Sequence, residues 1–183
     1  MWDSAFFRAR LNEWQTKGYI RKIIRGYYIF SDLKLNESVL FEIANKLYSP
    51  SYISFESALS RYGLIPEAVY GITSASARKT CRFRTPVGEF SYRTIMPRLF
   101  FGYDLVRSHE KCFKIASPEK AFLDYFYIHS DVEKKDDFAS LRINRDLFLE
   151  KIQKNKLDRF VEKFAQEALA KRVNSFWEFV KHA

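Results

Sequence analysis

"RLNEWQTKGYIRKIIRGYYIF", residues 10–30, decides how the chain begins. It reads as the end of a helix, a glycine, and two short strands. Upstream, Asp3 or Ser4 supplies a short side-chain oxygen that can accept from the free N–H groups of a first helical turn. Phe7, Leu11 and Trp14 follow at i, i+4 and i+7, one helical face that is expected to turn inward. Gly18 suits the position just past a helix end, where the backbone turns left-handed. Tyr19 to Ile23 and Tyr27 to Phe30 are rich in β-branched and aromatic residues and read as strands, with Arg25-Gly26 as the turn between them.

The charges on this stretch suggest a use. The chain of 183 residues has a net charge of +9, and two segments carry all of it. Residues 1–30 hold six cations against two carboxylates, and residues 78–98 hold six against one. Clustered positive charge is the footprint of a polyanion partner. A helix followed by a small basic hairpin is also how a winged helix-turn-helix ends, with its recognition helix in the major groove and its wing on the backbone. Opposite Phe7, Leu11 and Trp14, the helix carries Ala5, Arg8, Ala9, Asn12 and Thr16. Small residues permit close approach, Arg can bond guanine and Asn can bond adenine. Arg8, Asn12 and Thr16 are therefore the expected base-facing residues. Arg10, Lys17, Arg21, Lys22 and Arg25 are expected to hold phosphates, which gives affinity without sequence information. Arg78, Lys79, Arg82, Arg84, Arg93 and Arg98 form a second expected basic surface.

Beyond residue 30 the pattern alternates between helix and strand. A second helix is expected over Glu37–Tyr48, with Val39, Leu40, Ile43 and Leu47 inward. Ser49-Pro50 is a break and divides the chain into a DNA-binding region at 1–48 and a second domain at 51–183. Ser54 is placed to cap a helix running to Tyr62, which Gly63 ends. Val69 to Ile95 reads as strands, and Thr85-Pro86-Val87-Gly88 makes the second basic segment a hairpin. Gly63 and Gly71 read as backbone hinges of a tight connection. Cys112 to Ile115 is a further strand. Ser117 caps the helix that follows, with Pro118 at its first position, where a missing N–H costs nothing. Residues 129–144 read as surface loop or short turns, and the chain is helical from Arg145 onward. The fold class expected is α+β.

Little in the sequence points to catalysis or to a bound cofactor. There is no paired-histidine metal motif, no glycine-rich phosphate loop and no nucleophile elbow. His129 is expected at a surface helix C-terminus, where the dipole favours a cation. Asp124 lies among apolar residues and is expected in a polar network with an Arg or a backbone N–H rather than in a catalytic role. Cys81 and Cys112 lack a neighbouring His and read as core or strand residues. Neither a disulfide framework, a signal peptide nor a membrane-length apolar run is visible, so a reducing, cytoplasmic setting is expected.

Four stretches carry a resemblance. They are "RARLNEWQTKGYIRKIIRGYYIFSD", "LYSPSYISFESALSRYGLIPEAVYGITSAS", "FRTPVGEFSYRTI" and "KIASPEKAFLDYFY", which together span most of residues 8–127. They resemble the AbiEi family of antitoxins and transcriptional regulators of type IV (abortive infection) toxin–antitoxin systems, associated with phage resistance. The resemblance implies an N-terminal winged helix-turn-helix that represses the protein's own operon at promoter repeats; separately, an uncovered Phe7, Leu11 and Trp14 stripe would suit a dimer contact, with a dimer on DNA as one arrangement. The resemblance also implies a C-terminal domain that counteracts a nucleotidyltransferase toxin, generally without a tight complex. The chain lacks the toxin's own Gly-Ser…Asp-x-Asp signature. Family members carry a first helix and turn before the recognition helix, whereas here Met1 stands almost directly in front of it. Either those helices are missing, or the Glu37–Tyr48 helix and the second domain cover Phe7, Leu11 and Trp14. The alternatives are a protein-interaction module that does not read DNA, and an RNA-binding protein that uses the hairpin at 78–98.

Overall fold

The computed structural model describes residues 4–66, 70–108 and 111–182, leaving aside the side chains of Ser4, Ala5 and Ser108. Asp3, one of the two expected caps, and Val69 therefore lie outside the described residues. The expected elements form around the cues that suggested them. Helix α1 (Ser4–Thr16) ends where Gly18 takes φ +74° and Tyr19 N–H donates to the Trp14 carbonyl, 2.9 Å away. Tyr19 is thus part of the helix exit, and strand β1 (Ile20–Ile24) starts one residue later than expected. It pairs antiparallel with β2 (Tyr27–Phe30), and Gly26 turns the hairpin at φ +84°. Asn36 caps helix α2 (Glu37–Leu47) by accepting from the Val39 N–H at 3.0 Å.

The rest of the chain builds a mixed six-stranded sheet. Its strands are β3 (Ser51–Ile53), β4 (Gly71–Ser76), β5 (Cys81–Thr85), β6 (Gly88–Thr94), β7 (Tyr103–Ser108) and β8 (Lys111–Ala116), in the spatial order β5-β6-β4-β3-β8-β7. The β4/β6 and β3/β8 pairs are parallel and the others antiparallel. Strand β7 was not expected from the sequence. It is an edge strand of half-exposed residues, whose apolar content is too thin to stand out.

Helix α2 covers one face. Phe41 meets Phe113 edge-on at 5.3 Å, the Tyr92 hydroxyl donates to the Ala44 carbonyl at 2.7 Å, and Asn45 Oδ1 accepts from the Lys114 N–H. The hairpin lies against α2 in turn, through Ile23, Ile29 and Leu33 beside Val39, Ile43 and Leu47. The break at Ser49-Pro50 is therefore no break in packing, because α2 shares one core with the sheet that follows it.

Helices α3 (Phe55–Arg61) and α4 (Pro118–Ile128) cover the other face. Ser54 sits at the α3 N-cap position without capping. Its Oγ donates instead to Asp124 Oδ2 at 2.8 Å, and Thr73 Oγ1 on β4 accepts from the Ser57 N–H at 3.0 Å in its place. The cap is thus borrowed from the neighbouring strand. Gly63 ends α3 at φ +71°, as a hinge should, whereas Gly71 serves close approach: a Cβ there would lie 2.9 Å from the Glu89 carbonyl oxygen. Ser117 caps α4, as expected. The stretch at 129–144 includes a short helix, α5 (Lys135–Ser140). The helical end is α6 (Arg145–Lys151), α7 (Lys154–Phe164) and α8 (Glu167–His182), broken at Ile152-Gln153 and at Ala165, whose φ is +51°. Phe122, Phe126, Phe138, Phe148 and Phe176 form one aromatic cluster where α4, α5, α6 and α8 meet.

Between α4 and β3 lies a sealed polar cluster. Lys120 Nζ donates to Asp124 Oδ1 and, at 2.7 Å, to the Tyr52 hydroxyl, while that hydroxyl donates to Asp124 Oδ2 at 2.9 Å. Both charged side chains are 0% exposed. The network expected for Asp124 is present, with a lysine and two hydroxyls as partners rather than an arginine. Burial pushes the Asp124 carboxyl up and the Lys120 ammonium down, and their mutual attraction opposes both shifts. The rings of Tyr52, Phe101 and Phe164 surround the ammonium at 5.2–5.3 Å, favouring its charged form. Removing one partner strands the other charge in the interior. Lys120→Met or Asp124→Asn is expected to cost about 3–5 kcal/mol in urea unfolding, and the double replacement less than the sum of the two.

Candidate nucleic-acid interface

Helix α1 stands on the flank of the molecule, packed on β1. Arg8, Asn12 and Thr16 lie on one exposed face, as expected of base-reading residues. The Thr16 hydroxyl donates to the Asn12 carbonyl at 3.0 Å, a backbone contact within the helix that leaves its oxygen only as an acceptor. Ala5 belongs to this face in the sequence, but its side chain lies outside the described residues.

The phosphate candidates divide into three kinds. Arg10 and Lys17 converge on Glu13, each with an N···O distance of 2.7 Å. The hydrogen bond from Lys17, joined by that from Arg10, pulls the Glu13 carboxyl down to about 2. Lys22 and Arg25 are exposed on the hairpin. Arg21 is half-buried, and its Nε is sealed with no hydrogen-bond partner among the described residues. It belongs to the body of the hairpin more than to its outer surface.

The stripe opposite is not inward. Phe7 is 58% exposed and Trp14 42%, and with Phe6, Arg10 and Leu11 they line a shallow apolar cavity of about 130 Å³. The expectation of a covered face is corrected here. Helix α2, one of the two expected covers, is committed to the sheet, and among the described residues no other element takes its place.

The second basic segment does not act as one surface. The Arg78 guanidinium stacks 4.1 Å from the Tyr48 ring centre and donates to the Ser49 carbonyl. Arg98 donates to the Lys163 and Phe164 carbonyls at the end of α7, at 2.9 and 3.0 Å. Arg93 turns toward α3 and α4, with one guanidinium nitrogen 2.8 Å from His129 Nε2 and the other 3.4 Å from Glu56 Oε1. Lys79, Arg82 and Arg84 remain exposed, and the last two flank Glu89 at 2.8 and 4.0 Å. The reason for the scatter is strand alternation and helix-end capping, which send neighbouring arginines to different parts of the fold.

The fold also assembles a group that sequence reasoning missed. Glu56, Arg93 and His129 come from α3, β6 and the end of α4. His129 stacks on Tyr125, with ring centres 4.3 Å apart, and is half-buried rather than on the open surface. Residues so distant in sequence leave no spacing to read, although the alternation of β6 does put Arg93 on the face away from Phe90 and Tyr92. Among the described residues no group of three or more His, Cys, Asp or Glu is placed to hold a metal ion, and no helix is long and apolar enough to cross a membrane.

No protein-family model matches the chain, and no curated protein matches it. The reading of the interface rests on its own geometry.

The Glu13 group has a titration that checks that geometry. Its folded value is lowered, so its support of α1 is complete above the ordinary value of 4.5 and is lost as pH falls toward about 2. An NMR titration of the Glu13 side chain is expected to show the depressed midpoint. Added salt should move it back toward 4.5, because exposed pairs are screened.

Proposed function

We propose that the chain is a DNA-binding antitoxin of the AbiEi kind, a cytoplasmic repressor of its own operon that counteracts a nucleotidyltransferase toxin. In this reading α1 is the recognition helix and the β1–β2 hairpin is the wing. The observation that carries it is the exposed face of Arg8, Asn12 and Thr16 on α1, with Lys22 and Arg25 exposed on the adjoining hairpin. Arg and Asn fit base edges, and the hairpin cations fit phosphates.

The Glu13 group adds a physical consequence. On a duplex its carboxylate faces a polyanion, and Arg10 and Lys17 must exchange that partner for phosphates. The apolar stripe of Phe7 and Trp14 supports a dimer as the DNA-bound form, since an uncovered stripe of this kind marks a contact surface. The same stripe supports the alternative reading, a protein-interaction module that does not read DNA.

Fluorescence anisotropy with the operon's own promoter duplex and a shuffled duplex, over a range of salt, separates these readings. Arg8→Ala is expected to lower specific binding by about 1–3 kcal/mol and leave binding to the shuffled duplex nearly unchanged. Lys22→Ala should weaken both evenly and reduce the salt slope by about one. Glu13→Gln should tighten binding to both duplexes, because it removes an anion and releases two cations. Equal affinity of the parent protein for the two duplexes defeats the sequence-reading assignment. Absence of duplex binding leaves the protein-interaction reading.

A further inference from the structure

The rings that the fold leaves outside are gathered at one end of the chain. Among the described residues seven aromatic side chains are exposed, and six of them, Phe6, Phe7, Trp14, Tyr19, Tyr27 and Phe30, fall within residues 6–30. The three on α1 line the stripe that the proposed dimer uses. Tyr19, Tyr27 and Phe30 belong to the hairpin and its entry, and the proposed function gives them no use.

The register of the hairpin orders one of its faces. Lys22 pairs with Tyr28, and Ile20 with Phe30. Cross-strand partners and alternate residues share a face, so these four stand together. Ile20 is buried and Tyr28 half-buried, while Lys22 is exposed and Phe30 is 68% exposed. All four β2 residues border the groove beside α2, as residues of an edge strand do, but of the four only Ile29 packs on the core. Tyr28 and Phe30 are thus two rings on one face, about 7 Å apart along the strand. Stacked bases rise by only about 3.4 Å, so each ring suits one unstacked base, which a duplex does not offer.

The charge around the rings selects the partner. Residues 17–34 hold Lys17, Arg21, Lys22, Arg25 and Lys34 against Asp32 alone. Lys22, Arg25 and Lys34 are exposed. A second copy of the chain would set like charges against one another. An acidic polypeptide would meet the charge and leave the rings without flat partners. A single nucleic-acid strand meets both, because its phosphates suit the cations and its bases suit the rings.

We propose that this hairpin face binds single-stranded nucleic acid, with bases stacked on Phe30 and Tyr28 and phosphates on Lys22 and Arg25. The proposal goes beyond the duplex reading, which rests on Arg8, Asn12 and Thr16 of α1, and holds without it.

Fluorescence anisotropy on the full chain tests it with three end-labelled strands of about 12 nucleotides: oligothymidine, oligouridine and an abasic deoxyribose-phosphate chain. All three carry the same backbone charge, so electrostatics alone binds them equally. Oligothymidine or oligouridine is expected to bind about fivefold or more tightly than the abasic chain, and the tighter of the two names DNA or RNA as the source. Phe30→Ala, at an exposed position, should lose about fivefold or more of that affinity and leave binding of the abasic chain unchanged. Equal affinity of the parent protein for all three strands overturns the proposal, as does the absence of strand binding, and neither result depends on a variant. Two further results also overturn it. Poly-glutamate that competes as well as oligothymidine gives the face to an acidic protein, and a dimer in sedimentation that Phe30→Ala dissociates gives it to a second copy.

Discussion

A lysine and an aspartate one helical turn apart, both closed off from water, hold α4 against β3. Two buried charges are tolerable only when their hydrogen bonds are met, and here they are met by a tyrosine and a serine from the same short segment, Tyr52 and Ser54. That requirement fixes both the height and the rotation of α4 over the sheet. It reaches further still. Gly102 suits this place, because its φ is +71° and a Cβ there would press on the Lys120 side chain at 3.2 Å and on Phe160 at 3.0 Å. Ser54, drawn into the cluster, leaves the α3 cap to Thr73, which ties α3 to β4 as well. The positions of Glu56 and His129 follow from how α3 and α4 are held.

The excess of positive charge divides between architecture and surface. Three arginines close helix C-termini, where unpaired carbonyls and the helix dipole favour a cation. Arg98 does so for α7, Arg172 for α4 through the Phe126 and His129 carbonyls, and Arg145 for α8 through those of Val180 and Lys181. Arg78 and Arg93 are likewise engaged by named partners. Other cations face solvent, spread along the chain from Arg8 to Lys181. Lys22 and Arg25 on the hairpin and Arg8 on α1 are among them. A count of charges along the chain therefore overstates both basic segments: Arg78, Arg93 and Arg98 are engaged in the second, and in the first Arg10 and Lys17 pair with Glu13 while Arg21 is half-buried.

The parts of the fold legible in the sequence were those set by local chemistry. Gly18, Gly26, Ser117 and Pro118 act within a few residues of themselves, so the element they start or end can be read from one stretch. Strand β7 and the place of α2 could not be read that way. The first has only weak alternation, and the second depends on what Phe41, Ala44 and Asn45 meet across the fold. Ser54 shows the limit most clearly, as a residue of the right type at the capping position whose hydroxyl a buried aspartate 70 positions away has claimed. On α1 the exposure of Arg8, Asn12 and Thr16 agrees with the helical period, but that of Phe7 and Trp14 on the opposite face does not. The Glu56, Arg93 and His129 group was not legible, since only the sheet order and the two helices above it bring these residues together.

Helix α1 differs from every helix packed on the sheet. It has 13 residues, a length that is marginal for a helix standing alone in water. Of its described side chains only those of Leu11 and Glu13 are even half-buried. What supports it is local: the turn at Gly18, the ion group on Glu13 and the contact with β1. Such support is weak, because exposed pairs contribute little and are screened by salt. A helix with so little cover gains more from an external surface than one already buried. A duplex offers it phosphates on the cationic side, and a second copy offers apolar cover for Phe7 and Trp14. The base-facing side of Arg8, Asn12 and Thr16 lies opposite the stripe, so these two gains meet only at Arg10, which is both a phosphate candidate and part of the stripe's lining.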